Sequence, residues 1–177
     1  MTNLKSKIRS GEAVHGCWIN MGSHVSAEIM GRVGFDWLLI DQEHGAGTET
    51  EVYHTLQALQ SGAAEPVIRL EGAAPERSKR ALDMGAQGLM FPQLMSAAQA
   101  DAAVKAMYYK PVGTRGAAGM VRAVEFGKTF QEYAAGQRAR LVSMVQVETA
   151  EILDELDAVA ALELVDVLFV GPMDLCI

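Results

Sequence analysis

Short apolar runs alternate with amphipathic stretches along most of the chain. Val14–Asn20, Phe35–Asp41, Pro66–Leu70, Gly88–Gln93, Leu141–Val147 and Val165–Val170 are dense in aliphatic and aromatic residues. Each is too short for a helix and is expected as a strand. The stretches between them carry helix signals. Ser23–Val33 has Ser23 as its N-cap and Gly34 just past its end. Thr48–Leu59 opens on a capping box, Thr48-x-x-Glu51. Pro75–Met84 has proline in its first turn and Gly85 after its last residue. Ser96–Met107 opens on Ser96-x-x-Gln99, and Ala150–Ala160 puts Ile152, Leu153, Leu156 and Val159 on one face. Strands this apolar, joined by helical crossovers, are buried on both faces, and that pattern predicts a parallel α/β sheet.

A closed eight-stranded barrel takes about 250 residues, and this chain has 177. An open six-stranded sheet would expose two long edges, which natural proteins avoid. The expectation is therefore a single domain, residues 1–177, that supplies roughly the first six βα units of a (βα)8 TIM barrel and is truncated at the C-terminus. Tyr108–Gly127, rich in glycine and holding Arg115 and Arg122, has no clean period and is expected as a loop. Within it, Gly113-Thr114-Arg115-Gly116 is expected to be a flexible connection rather than a phosphate cradle.

Composition narrows the function. Half the residues are hydrophobic, enough for one filled core. Met84, Met90, Met95, Met107 and Met144 are expected as core filler, and Cys17 as a small buried hydrophobe. The net charge is −7 with no basic stripe, which argues against nucleic acid. An acidic protein acting on an acidic substrate needs a local device, either a metal or a placed arginine. Two cysteines, Cys17 and Cys176, give no disulfide framework and fit a reducing cytoplasm. Met1–Ser10 is polar and charged, unlike a signal peptide, and no apolar stretch approaches the ~18 residues of a membrane span.

Candidate chemistry collects at the carboxyl ends of the strands, where α/β proteins place their sites. Glu148 follows one apolar run and Asp174 the next, one β-helix-β unit apart. As a pair, with Gln146 beside them, they are expected to hold a divalent cation such as Mg2+, Mn2+ or Co2+. Two ligands leave room for a bidentate 2-oxo acid. Arg69 ends its strand and is expected either to fork onto a carboxylate or oxyanion or to form a structural ion pair with a neighbouring strand-end acid. Asp41 and His44 lie three apart on one loop, so Asp41 is expected to orient the imidazole as a general acid/base. Lys5, Lys7, Lys79, Lys105, Lys110 and Lys128 all fall in helices or loops, which favours metal-assisted enolisation over an imine.

These motifs resemble the HpcH/HpaI aldolase family, metal-dependent pyruvate aldolases. The resembling stretches are Gly16-Cys17-Trp18, Phe35–Asp41 with Glu43-His44-Gly45, Val67-Ile68-Arg69, Gly85–Pro92, Gly113–Gly116, Gln146–Thr149 and Gly171–Leu175. The resemblance implies a (βα)8 barrel that joins pyruvate, or a related 2-oxo acid, to an aldehyde, or cleaves the 4-hydroxy-2-oxo acid product. It implies Glu148 and Asp174 as metal ligands, and Arg69 at the keto and enolate oxygen. His44 with Asp41 would handle the aldol hydroxyl proton. Trp18, Gln146, Gly171, Pro172 and Asp174 would line the substrate. It also implies a homo-oligomer, commonly a hexamer built from dimers that exchange a C-terminal helix. Met173 stands where the family usually has Asn, and Gln42, Ala46 and Gly47 depart from its strand-two loop. Those departures bear on the aldehyde partner more than on the chemistry. Two other readings stand beside this one: an acyl-CoA lyase of the same superfamily, of malyl or citramalyl type, and a non-catalytic truncated fragment.

Overall fold

The computed structural model describes residues 3–176. Each apolar run folds as a strand, five of them trimmed at their ends and the third shifted one residue toward the N-terminus: β1 (Gly16–Ile19), β2 (Trp37–Asp41), β3 (Glu65–Arg69), β4 (Gly88–Phe91), β5 (Val142–Val147) and β6 (Val167–Val170). All five neighbouring pairs are parallel, and the spatial order is the chain order. This is the sequential winding of a (βα)8 barrel, carried through six strands.

The helices are α1 (Leu4–Arg9), α2 (His24–Gly31), α3 (Glu49–Ala58), α4 (Pro75–Met84), α5 (Ala97–Lys105), α6 (Phe130–Arg140), α7 (Ala150–Asp154), α8 (Leu156–Ala160) and α9 (Pro172–Leu175). Ser23 and Ser96 cap α2 and α5 by accepting from Ser26 N and Gln99 N. Glu51 returns to Thr48 N at 2.9 Å. Gly85 ends α4 in the left-handed region, φ 106°, where a Cβ would be strained. The single helix expected over Ala150–Ala160 is broken at Glu155, which leaves helical geometry and accepts a 2.7 Å hydrogen bond from Ala97 N, satisfying a free amide at the start of α5.

Alternation along the strands builds two apolar layers. Leu38, Ile40, Ile68, Leu89, Phe91, Val145 and Val147 face the helices and share one core with Val52, Leu56, Leu82, Val104 and Ile152. Leu39, Val67, Met90, Val142 and Met144 face inward, against Trp18, Trp37 and Phe169. The sheet is curled: β1 and β6 share no ladder, yet the rings of Trp18 and Phe169 meet edge-on with centroids 5.9 Å apart.

The N-terminal segment, with no strand or helix assigned to it from sequence, forms α1 and closes the floor. Leu4 enters the inward layer. Lys5 Nζ lies 3.0 Å from Asp166 Oδ2 and donates to Leu141 O at 2.9 Å, while Arg9 Nη2 lies 2.6 Å from Asp166 Oδ1. Asp166 Oδ2 also accepts from Ser143 N at 3.0 Å, so one buried carboxylate ties α1 to the starts of β5 and β6.

Further expectations change, and one helix, α6, falls where none was expected. The Tyr108–Gly127 stretch is irregular, with a 3-10 turn over Arg122–Gly127, but it is not a flexible connection at Arg115. That guanidinium is buried, donates to Tyr133 Oη at 3.0 Å and pairs with Asp83 at 2.6 Å. Helix α6 has no apolar stripe, and its buried residues are Tyr133 and Gln137. Met95 is exposed, whereas Met90, Met107 and Met144 are core. Among the described residues, no helix is long and apolar enough to cross a membrane.

Removing one partner of a buried ion pair strands the other charge. Asp166→Ala should lower unfolding stability by about 3–5 kcal/mol, measured by urea denaturation followed by circular dichroism. A loss under about 1 kcal/mol, the scale of an exposed pair, would show that Asp166 does not anchor the floor.

Candidate active site

Opposite that floor, the carboxyl ends of the strands bring charged side chains together in a small volume. Asp41 ends β2 and Arg69 ends β3, and the two are register partners. The pair is bidentate: Arg69 Nε donates to Asp41 Oδ1 at 2.9 Å and Nη2 to Oδ2 at 2.8 Å. Glu43, two residues along the strand-two loop, places Oε2 3.0 Å from Arg69 Nη1 as an ion pair. Below them the guanidinium carbon stands 4.5 Å from the centre of the Trp18 ring, a cation–π seat. The guanidinium carries five N–H groups, so this clamp leaves donors on Nη1 and Nη2 free.

Asp41 is saturated. It also accepts from Asn20 Nδ2 at 2.8 Å and from the backbone N–H groups of Glu43 (3.0 Å) and His44 (3.3 Å). Burial pushes its carboxyl up, but the Arg69 guanidinium and these N–H donors outweigh burial and hold it below the usual range. The structure does not bring the His44 imidazole onto the Asp41 carboxylate. Asp41 reaches His44 through the main chain, and its oxygens are spent on Arg69 and Asn20. The carboxylate nearest the imidazole is Glu43, 3.9 Å from Nε2, and the His44 side chain is 67% exposed.

Glu148 sits just past β5. Its Oε1 accepts from Gln93 N at 2.6 Å, and its Oε2 from Gln146 Nε2. Burial raises the Glu148 carboxyl, the charges of Glu43 and Asp174 raise it further, and the Gln93 N–H and Arg69 oppose them. Asp174 lies exposed on α9, after β6, near enough for its charge to act on Glu148. The approach is close at Gly171, where a Cβ would lie 3.0 Å from Gln146 Nε2 and 3.1 Å from Glu148 Oε2. Gln146 Oε1 is buried without a hydrogen-bond partner. An oxygen lacking a donor, beside carboxylates that repel one another, is the environment a hard divalent cation fits. Among the described residues, no three His, Cys, Asp or Glu side chains gather into a closed metal cage.

Arg69, Asp41, Trp18, Gln146, Glu148, Gly171 and Asp174 thus gather at one rim, with Pro172 exposed at the start of α9. His44 stands at the margin. Sequence reasoning assigned no role to Glu43, Asn20 or Gln93. Glu43 was accessible through charge balance, because a strand-end arginine with an acid on either side of the loop tip draws both. Cavity size points elsewhere. A groove of about 740 Å3 lies between α3, α4 and the 122–127 turn, but the nearest approach of its charges is already spent in the Glu49–Arg80 pair at 2.8 Å.

Residues 15–177 match the HpcH/HpaI aldolase/citrate lyase family. The chain is 42% identical over 160 residues to the 2-dehydro-3,6-dideoxy-6-sulfogluconate aldolase of Pseudomonas putida, covering 90% of this chain and 62% of that protein. It is 39% identical over 172 residues to the hydroxypyruvate/pyruvate aldolase of Agrobacterium fabrum, covering 97% and 65% respectively. The crystal structure of an HpcH/HpaI aldolase/citrate lyase family protein from Burkholderia cenocepacia J2315 superposes with a TM-score of 0.93 at 39% identity, over 99% of this chain and 71% of that one. The chain therefore spans less than two thirds of the length of these two curated relatives.

The Asp41–Arg69 clamp sets a pH dependence. With the Asp41 carboxyl held low in the fold, its contribution is full above the unfolded carboxylate value, about 3.9. It is lost as pH falls through the lower folded value. Asp41→Asn should be clearly less stable than the parent between about pH 5 and 7, with the gap closing below about pH 4. Urea titrations across that range measure it, and a gap that persists undiminished in acid would refute the clamp.

Proposed function

The chain belongs to the HpcH/HpaI aldolase/citrate lyase family, and from that premise we propose that it forms and cleaves 4-hydroxy-2-oxo acids, joining pyruvate or a related 2-oxo acid to an aldehyde. The observation that carries this reading is Arg69. Its guanidinium is fixed by two carboxylates and an indole, has donors to spare, and is close enough to Glu148 for each charge to act on the other. The aldolase names of the relatives support it over an acyl-CoA lyase.

In cleavage, the C4 hydroxyl loses its proton, the C3–C4 bond breaks and the aldehyde departs. The bonding electrons pass to C3 and on to the C2 oxygen, giving an enolate that is protonated at C3 to pyruvate. Arg69 presents its free N–H groups to the oxygen where that charge develops, already oriented and so without reorganisation. Gln146 and Trp18 wall the site, Gly171 and Pro172 form its β6 side, and Gly171 leaves room beside Glu148. His44, exposed and next to Glu43, takes the hydroxyl proton directly or through a water, without the direct Asp41 support first expected. Glu148 and Asp174 are the residues that would hold a divalent cation, Mg2+, Mn2+ or Co2+, which when bound supplies Lewis-acid stabilisation of the same negative charge. On the same premise the working unit is a cytoplasmic homo-oligomer, a hexamer by resemblance to the family. Met21, Val25, Ile29 and Val33, exposed at four-residue spacing along and just beyond α2, support a covered surface there.

The test follows exchange of the pyruvate methyl protons in D2O, with Mn2+ and then with a chelator. Exchange should depend on the metal. Arg69→Ala should lower the rate by about 100- to 1,000-fold, the scale of one lost oxyanion donor. Full activity in that variant sinks the role of Arg69. Exchange that survives chelation, with borohydride trapping of pyruvate, sinks the metal assignment.

A further inference from the structure

We infer that Gln93 is a positioning residue of this site, one that locks Glu43 onto Arg69 and at the same time steadies Glu148; the inference rests on the aldolase reading. Gln93 lies two residues past β4, between the loop that follows β2 and the end of β5. Its φ is +53°, the left-handed region that side chains other than glycine rarely adopt. That backbone aims the Gln93 N–H at Glu148 Oε1, 2.6 Å away. The side chain turns the other way, and Nε2 donates to Glu43 Oε1 at 3.0 Å. One residue therefore donates to two carboxylates that repel each other, from two different groups.

The consequence runs through Glu43. With Oε1 held by the Gln93 amide, the carboxylate is fixed in rotation, and Oε2 is the oxygen presented to Arg69 Nη1 at 3.0 Å. Without the amide, Glu43 is free to turn its Oε1 toward the His44 imidazole, 3.9 Å away, or toward solvent. Arg69 would then keep its Asp41 fork but lose the carboxylate charge held beside Nη1. A strained backbone persists where the surroundings over-determine it, and such strain gathers at functional sites. Here both bonds formed by Gln93 end on the charged groups of one site.

Two variants separate this role from a structural one. Gln93→Met keeps the length of the side chain and removes the amide. Gln93→Gly removes the amide, keeps the N–H to Glu148 and relieves the left-handed strain. With Mn2+ bound, both should lower the exchange rate at saturating pyruvate by about tenfold, the worth of one hydrogen bond to a charged group. The KM for pyruvate and the Mn2+ affinity, the latter read by electron paramagnetic resonance, should stay within about twofold. Gln93→Gly should melt at a higher temperature than the parent while losing the same rate. If both variants exchange at the parent rate, the proposal fails. A second arm needs no substrate: in thermal unfolding, Gln93→Met and Glu43→Gln should combine non-additively. Additive shifts overturn the linkage whatever the activity. A parent protein that shows no exchange overturns the aldolase reading instead, and the unfolding cycle still decides for or against Gln93.

Discussion

Charge balance around Arg69 is the constraint on which the rim of this sheet depends. Asp41, Glu43, Glu148 and Asp174 bring four carboxylates there. Among the described residues, Arg69 is the one lysine or arginine that pairs with any of them. Low-dielectric surroundings make that imbalance costly, and the structure meets part of the cost with neutral donors: Asn20 and two backbone N–H groups for Asp41, the Gln93 N–H and the Gln146 amide for Glu148. What remains is a negative surplus around Glu148 and Asp174 with an unpartnered Gln146 oxygen beside it. On the proposed function, a fixed guanidinium next to a surplus of carboxylate would take a cation and an anionic substrate together. It reconciles an acidic protein with acidic chemistry.

The two ends of the sheet divide stability from chemistry, as expected of parallel α/β architecture. At the floor, Asp166 is enclosed and fully occupied by Lys5, Arg9 and Ser143. At the rim, donors are left over on Arg69 and an acceptor is left over on Gln146. Both ends use carboxylates and cations; the difference lies in whether the bonding capacity is closed. Strand order explains why the rim residues meet at all. Because the strands pair in chain order, each successive strand end lies beside the last, and the curl that brings Trp18 to Phe169 turns a row of ends into a cup.

Much of this was legible in the sequence because its signals are local. Six apolar runs gave six strands, Gly85 marked the end of α4, and Ser23 and Ser96 marked two caps. The strand-end positions of Arg69, Glu148 and Asp174 placed them on one rim. What escaped depends on partners distant in sequence. Helix α1 is short and charged, and its burial is intelligible only once Lys5 meets Asp166. Helix α6 has no apolar stripe, and Tyr133 is buried because Arg115 lies against it. Asp41 and His44 are neighbours in sequence, which suggested a catalytic pair, but the stronger claim on Asp41 came from Arg69, its register partner on the adjoining strand. A spacing of three residues on a loop is weaker evidence than pairing across a sheet.

The placement of lysines bears on which carbonyl chemistry this scaffold suits. An imine mechanism needs an amine that is buried yet reachable at the rim. Among the described residues, the buried lysine is Lys5. Burial lowers its pKa, with Asp166 opposing, so by titration alone it resembles a candidate nucleophile. Its position argues otherwise: the ammonium is bonded to Leu141 O, just before β5 begins, and to Asp166, just before β6 begins. That is the floor, with the full length of the strands between it and Arg69. A perturbed pKa marks a functional group only where geometry offers a substrate. Here the geometry gives the perturbed amine the task of tying α1 to the floor of the sheet, and on the proposed function the stabilisation of an enolate falls to a guanidinium that does not need to lose its proton.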